Sequence, residues 1–185
     1  MNKDDESKIN PVVAEMVEDC HITAFSWEQV SILPTGEVVS GVPSPKNSTQ
    51  VIRIHILGEL IAQYSFYRPE NGDKKSWLQS RGRLKEVKLT DDDWMYLGAV
   101  AAAGMFFQEI RTWLRTEVDE PDSHLPARKN FGFRVKPRGH VTQLLRSKAW
   151  LDLVQEYAEK GLKLKCPDGF GGFTLVVSRP PVLVD

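Results

Sequence analysis

A chain of 185 residues with 41% hydrophobic and 26% charged residues has enough apolar surface for a real core and is too apolar for a disordered polymer. Its net charge of −1 excludes whole-molecule attraction to nucleic acid or anionic lipid, so any such contact must come from a local patch. Two isolated cysteines, Cys20 and Cys166, argue against a zinc site or a disulfide scaffold and suit a reducing compartment.

Residues 1–9 are charged and have no apolar face, so a disordered tail without a secretion signal is expected there. Asn10-Pro11 is a helix-start pair, opening a short helix to about Asp19 with Val12, Val13, Met16 and Val17 on its apolar side. Pro34-Thr35-Gly36 separates two β-forming stretches, residues 22–33 and 37–42, and reads as a hairpin turn. VPSPKNSTQ then reads as a linker or surface loop. In VIRIHIL, Ile52, Ile54 and Ile56 alternate with Arg53 and His55, which predicts a strand with one buried and one wet face. Gly58-Glu59 marks a bulge or turn, and β structure continues to Pro69. Asn71-Gly72 is a turn signal, and GRLKEVKL reads as a second strand or an extended lead-in to a helix.

That helix, Thr90–Thr116, is the centre of the pattern. Thr90 can cap it, Asp91, Asp92 and Asp93 suit its positive end, and no charge occurs from Trp94 to Phe107. Trp94, Leu97, Ala101, Met105, Ile110, Trp113 and Leu114 recur at near-helical spacing and are expected inward. The uncharged run is shorter than the roughly 20 residues a membrane span needs. Residues 118–130 read as a loop, FGFRVKP as a short strand, and residues 141–160 as a second amphipathic helix. Leu144, Leu145, Trp150, Leu151, Val154 and Tyr157 should face inward from it, and Gly161 should cap it. A terminal hairpin of LKLKC and FTLVVS follows, around a DG turn. The fold class is therefore α+β: an antiparallel sheet packed against a central buried helix and a second late amphipathic helix in a single compact domain. Its parts would be the tail 1–9, an N-terminal helix, hairpin and linker 10–48, and a main body 49–185.

No constellation for catalysis stands out: GxSxG, HExxH, Walker and GxGxxG motifs are all missing. Gly169–Gly172 precede a strand and not a helix, which suits a hairpin better than a phosphate loop. The four histidines have no ligand spacing, and Cys20-His21 lacks a supporting oxyanion-hole or base motif. A non-enzymatic protein is expected, with no cofactor, metal or small-molecule substrate.

Charge segregation is the strongest functional signal. No acidic residue occurs from Leu125 to Leu151, while Arg128, Lys129, Arg134, Lys136, Arg138, Arg146 and Lys148 are basic. Lys74, Lys75, Arg81, Arg83, Lys85 and Lys88 form a second cluster interrupted only by Glu86. Such blocks are candidates for phosphate contact, of nucleic acid or of lipid head groups.

From about residue 50, the order of elements resembles that of the matrix proteins of rhabdoviruses, with a plant-infecting cytorhabdovirus-like member the nearest fit. The resemblance rests on a long alternating strand (VIRIHIL…YSFYRP), a helix with WMYLG and an alanine-rich turn, a basic strand region, and a late helix running into KGLKLKCPDGFGGFTLVV. It implies a viral structural protein of the virion and host cytoplasm, at the inner face of a membrane. Such a protein self-associates and bridges nucleocapsid RNA and anionic membrane. Two departures are the acidic Asp4, Asp5 and Glu6 in place of a lysine-rich N-terminus and the lack of a PPxY or PTAP-type motif. The alternative is a nucleic-acid-binding regulator or host-interaction factor, such as a silencing suppressor.

Overall fold

A computed structural model of the chain describes residues 8–40, 46–67, 69–120, 124–132, 143–166 and 172–181. The fold is α+β with antiparallel pairing throughout. Contacts group the chain into two compact units, residues 1–102 and 103–185, with one long helix running through the division.

The first unit opens with α1 (Pro11–Asp19), where the Asn10 side chain accepts a hydrogen bond from Val12 N at 2.9 Å and Pro11 takes the first helical position. Val13 and Met16 are buried, whereas Val12 reaches solvent. The strands β1 (Phe25–Ile32), β2 (Val38–Ser40), β3 (Thr49–Ile56), β4 (Glu59–Tyr67) and β5 (Lys75–Ser80) form a five-stranded sheet in the order β2-β1-β3-β4-β5. The β1–β2 hairpin turns at Pro34-Thr35-Gly36, as the sequence predicts. β1 pairs with β3 over eight consecutive positions, Phe25 opposite Ile56 through Ile32 opposite Thr49. The expected boundary at residue 48 therefore falls inside one sheet.

The alternation expected in β3 holds only in part. Ile54 is fully buried beside Ala62, and Arg53 lies between Glu28 and Gln63 on the other face. Val51, of the same parity as Arg53, is also buried, in a row with Val30 and Ser65. Both faces are covered at that end, so alternation in the sequence does not separate inside from outside there. GRLKEVKL is not a strand: Gly82–Leu84 make a 3₁₀ turn, and β5 is the preceding KSWLQS.

β3 and β4 are joined by the two residues Leu57 and Gly58, both at positive φ (50° and 82°), as a mirror-image hairpin turn requires. Leu57 is 84% exposed, and its N–H donates to Ala24 O at 2.9 Å. A branched residue in the left-handed region is strained.

The central helix α2 (Asp91–Trp113) ends in a wider π turn, Leu114–Val118. Its start is a reciprocal cap. Thr90 Oγ1 accepts from Asp93 N (3.2 Å), and Asp93 Oδ2 accepts from Thr90 N (3.0 Å). Asp93 is 1% exposed, and its Oδ1 accepts from Asn10 N at 2.7 Å, tying the start of α1 to the start of α2. Leu97, Ala101, Ile110, Trp113 and Leu114 are buried as expected, and Trp94 is half-buried, stacked on Tyr64 at 5.5 Å. Met105 departs from expectation at 40% exposed, because it falls on the one side of α2, with Met95, Gln108 and Glu109, that meets solvent.

The second unit holds a three-stranded sheet, β6 (Ala127–Gly132), β7 (Lys163–Lys165) and β8 (Gly172–Ser178), in the order β6-β8-β7, with helix α3 (Lys148–Glu159) before β7. β6 lies earlier than the expected FGFRVKP strand, since ARKN belongs to it, and residues 133–142 lie outside the described residues. α3 begins at Ser147, whose Oγ accepts from Trp150 N (3.2 Å), so residues 143–146 are a separate helical turn. It ends at Gly161 (φ 76°), where Leu162 N bonds back to Tyr157 O (2.9 Å) and Gly161 N to Ala158 O (3.0 Å). The break at Ser147 rotates the inward face. Leu144, Trp150, Leu153 and Tyr157 are buried, while Leu145 and Leu151, both expected inward, are exposed.

Two expectations follow for stability. Asp93→Ala leaves two backbone donors without their acceptor and should lower unfolding free energy on the order of 2–3 kcal/mol in denaturant titration, whereas Met105→Ala should change it by less than about 1 kcal/mol. Leu57→Asn keeps the backbone N–H and relieves the left-handed strain, and should raise the denaturation midpoint by the equivalent of up to about 1 kcal/mol.

Candidate functional site

Strand parity decides where the cations of the second unit go. β8 is the middle strand, with Arg128 of β6 and Lys165 of β7 opposite Val176 on its two sides, and Lys163 opposite Ser178. Directly opposed residues share a face, so Arg128, Lys163 and Lys165 stand on one side of this sheet. Strand spacing places Arg128 and Lys165 about 10 Å apart across the sheet, and Lys163 about 7 Å along β7 from Lys165. All three are exposed. None has a carboxylate partner among the described residues, and β6, β7 and β8 contain no acidic residue. Asn130 is exposed on the same face, Val176 and Ser178 are half-buried, and Thr174 is buried.

The opposite face is apolar. Leu175, Val177, Leu164 and Phe131 are buried there, with the Phe131 ring edge-on to Phe106 (5.3 Å) and Trp113 (6.1 Å). Lys129 has this inner parity, and its Nζ lies 5.2 Å from the centre of the Phe131 ring. It thus belongs to the other side from Arg128. Lys148 sits in the first turn of α3 and pairs with Asp152 at 3.2 Å, and Arg146 lies in the preceding helical turn with an interaction of its own. Arg134, Lys136 and Arg138 lie outside the described residues. Among the described residues of the first cluster, Arg128 is the one placed on the basic sheet face. Lys163 and Lys165 were missed because they stand far from it in sequence, although the alternation in LKLK already puts both on one side of a strand.

The second cluster gathers around β5. Lys74 and Lys75 lie at its start and Arg81 just past its end, all exposed, with Lys85 beyond the 3₁₀ turn. Arg83 is paired with Asp19 at 3.4 Å. Lys88 lines a cleft of about 330 Å³ together with Tyr64, Leu78, Val87, Leu89 and Asp91.

His21 Nδ1 lies 2.8 Å from Thr23 Oγ1, closing the turn before β1. Burial pushes the Cys166 thiol up to about 12, so it stays protonated and a poor nucleophile at neutral pH. Tyr157, 2% exposed, donates its hydroxyl hydrogen bond to the Asp119 carboxylate (2.9 and 3.0 Å). Lys160 stands 3.6 Å from that carboxylate and 3.7 Å from Glu156, which also receives Arg111 at 3.1 Å. This network ties the π turn to α3. Among the described residues no group of three His, Cys, Asp or Glu is placed to hold a metal ion, and no helix is long and apolar enough to cross a membrane. Comparison of the chain with protein-family models, with curated proteins and with solved structures finds no match.

Burial first, then the hydrogen bond to Asp119, raises the pKa of Tyr157 above the ordinary tyrosine value. An unfolded tyrosine loses its proton near about pH 10, while the folded one keeps it. Above that pH the folded state binds more protons, so this tyrosine's contribution to stability is complete below about pH 10 and is lost as pH rises further. Tyr157→Phe should flatten that part of the alkaline decline in unfolding free energy between about pH 9 and 11, measured by denaturant titration at each pH.

Proposed function

We propose that this chain is a non-enzymatic structural protein of the viral matrix type, which self-associates and holds a phosphate polyanion against the basic face of its second sheet. The observation that carries the reading is the set Arg128, Lys163 and Lys165 on one face, with no acidic residue in any strand of that sheet. In a chain of net charge −1, an acid-free cationic face is a local attractor for phosphate even though the whole molecule is not. The α+β architecture, with a long central helix and a late helix leading into the terminal hairpin, agrees with the element order on which the matrix resemblance rests. On this reading the nucleocapsid RNA and the inner surface of an anionic membrane are the polyanions bridged, in the virion and the host cytoplasm.

Binding to RNA and to anionic liposomes should weaken steeply with salt. For single-stranded RNA, Arg128→Glu with Lys165→Glu should reduce the slope of log K against log salt by up to about 1.4, roughly 0.7 for each phosphate contact removed. The double variant should melt within a few degrees of the parent, because both side chains are exposed. Absence of salt-dependent binding to either polyanion in the parent protein overturns the reading. A stable monomer at all concentrations in light scattering, with RNA binding retained, favours a nucleic-acid-binding regulator instead.

A further inference from the structure

β5 lies at one edge of the five-stranded sheet, and among the described residues its strand neighbour is β4. The phase of that pairing follows from Arg81 N, which donates to Ile61 O at 2.7 Å. Bonded and non-bonded pairs alternate along an antiparallel ladder. In the register Tyr67 opposite Lys75 through Ala62 opposite Ser80, the bonded pairs are therefore Gln63 with Gln79, Ser65 with Trp77, and Tyr67 with Lys75. The N–H and C=O groups of Ser76, Leu78 and Ser80 point away from β4. Among the described residues no backbone group bonds to them from the outer side. The same three residues line the 330 Å³ cleft, with Val87, Lys88 and Leu89 on its other wall. A row of main-chain donors and acceptors without a strand partner, on residues that line an open cleft, is the geometry for strand addition.

We propose that this cleft receives an extended acidic peptide from a partner protein, which adds as a sixth strand beyond β5 and bonds to the main chain of Ser76, Leu78 and Ser80. Charge decides the class of peptide. No acidic residue occurs from Lys74 to Lys85. A strand laid along β5 passes Lys74 and Lys75 at one end, Arg81 and Lys85 at the other, and Lys88 in the opposite wall, with Asp91 the acid in the cleft lining. Parity divides its side chains. One face of the edge carries Leu78, in register with Tyr64, and takes apolar residues; the other carries Lys75 and the 43% exposed Trp77, and takes carboxylates. This site lies on a different sheet from the basic face of β6, β7 and β8, so its test stands apart from polyanion binding.

The experiment pans a phage-displayed library of random nonapeptides against the full chain and measures recovered peptides by fluorescence anisotropy. Acidic peptides alternating with apolar residues are expected. Ser76→Pro removes an outward N–H without touching the β4 ladder, and should weaken their binding at least tenfold with the far-ultraviolet dichroism unchanged. Lys75→Glu with Lys88→Glu leaves the site with as many acids as cations and should abolish the acidic preference of the recovered sequences. Should Ser76→Pro fail to fold, amide exchange in the parent decides: bound peptide should slow Ser76, Leu78 and Ser80 at least tenfold. The proposal is overturned if no sequence is enriched, if the parent recovers basic peptides, if folded Ser76→Pro binds as tightly, or if those amides exchange at an unchanged rate.

Discussion

The first unit depends on one buried carboxylate. Asp93 is 1% exposed, yet both of its oxygens are engaged, one by the backbone of Thr90 and the other by the backbone of Asn10. Burying a carboxylate is unfavourable unless donors replace the water it loses. Here the donors are N–H groups at the starts of two helices, which would themselves lack partners within those helices. Each side of the arrangement satisfies the other, and α1 is thereby anchored 83 residues away along the chain. The long helix then leaves this point with its first turn fixed, and Trp94 follows directly onto Tyr64 of the sheet.

Position across a strand, more than density along the sequence, determines which cations can act together. Arg128 and Lys129 are neighbours in the chain but project to opposite sides of β6, one to solvent and one over an aromatic ring. Lys163 and Lys165, more than thirty residues later, join Arg128 because β7 and β6 flank the same strand. One strand on either side of β8 thus brings an arginine and two lysines scattered in the sequence into one patch, and the apolar parity of the same strands supplies the buried face beneath it.

The same logic governs β5. Its inward main-chain groups are satisfied by β4, and the residues that carry its outward ones line a cleft. Cationic flanks are a common way for a protein to keep an exposed edge from pairing indiscriminately. They also bias any strand that does pair toward negative charge, so protection and selectivity come from the same side chains.

Local chemistry was legible in the sequence. Asn10-Pro11 and Gly161 cap helices, Pro34-Thr35-Gly36 turns a hairpin, and the uncharged run after Asp93 is the central helix, because each of these depends on a few adjacent residues and on fixed backbone geometry. The antiparallel α+β class followed from the same signals. Tertiary structure alone decided the rest. The pairing of β1 with β3 joined segments that a proline- and serine-rich stretch had separated on paper, since register is set by long-range contact and not by composition. The capping hydroxyl of Ser147 restarted the helical phase, which left Leu145 outward before the break, while Leu151 falls off the Trp150, Leu153 and Tyr157 stripe within α3. The basic face existed in the sequence only as LKLK and a distant arginine. It became one face when the terminal hairpin laid β8 between them, with Leu175 and Val177 buried on the other side.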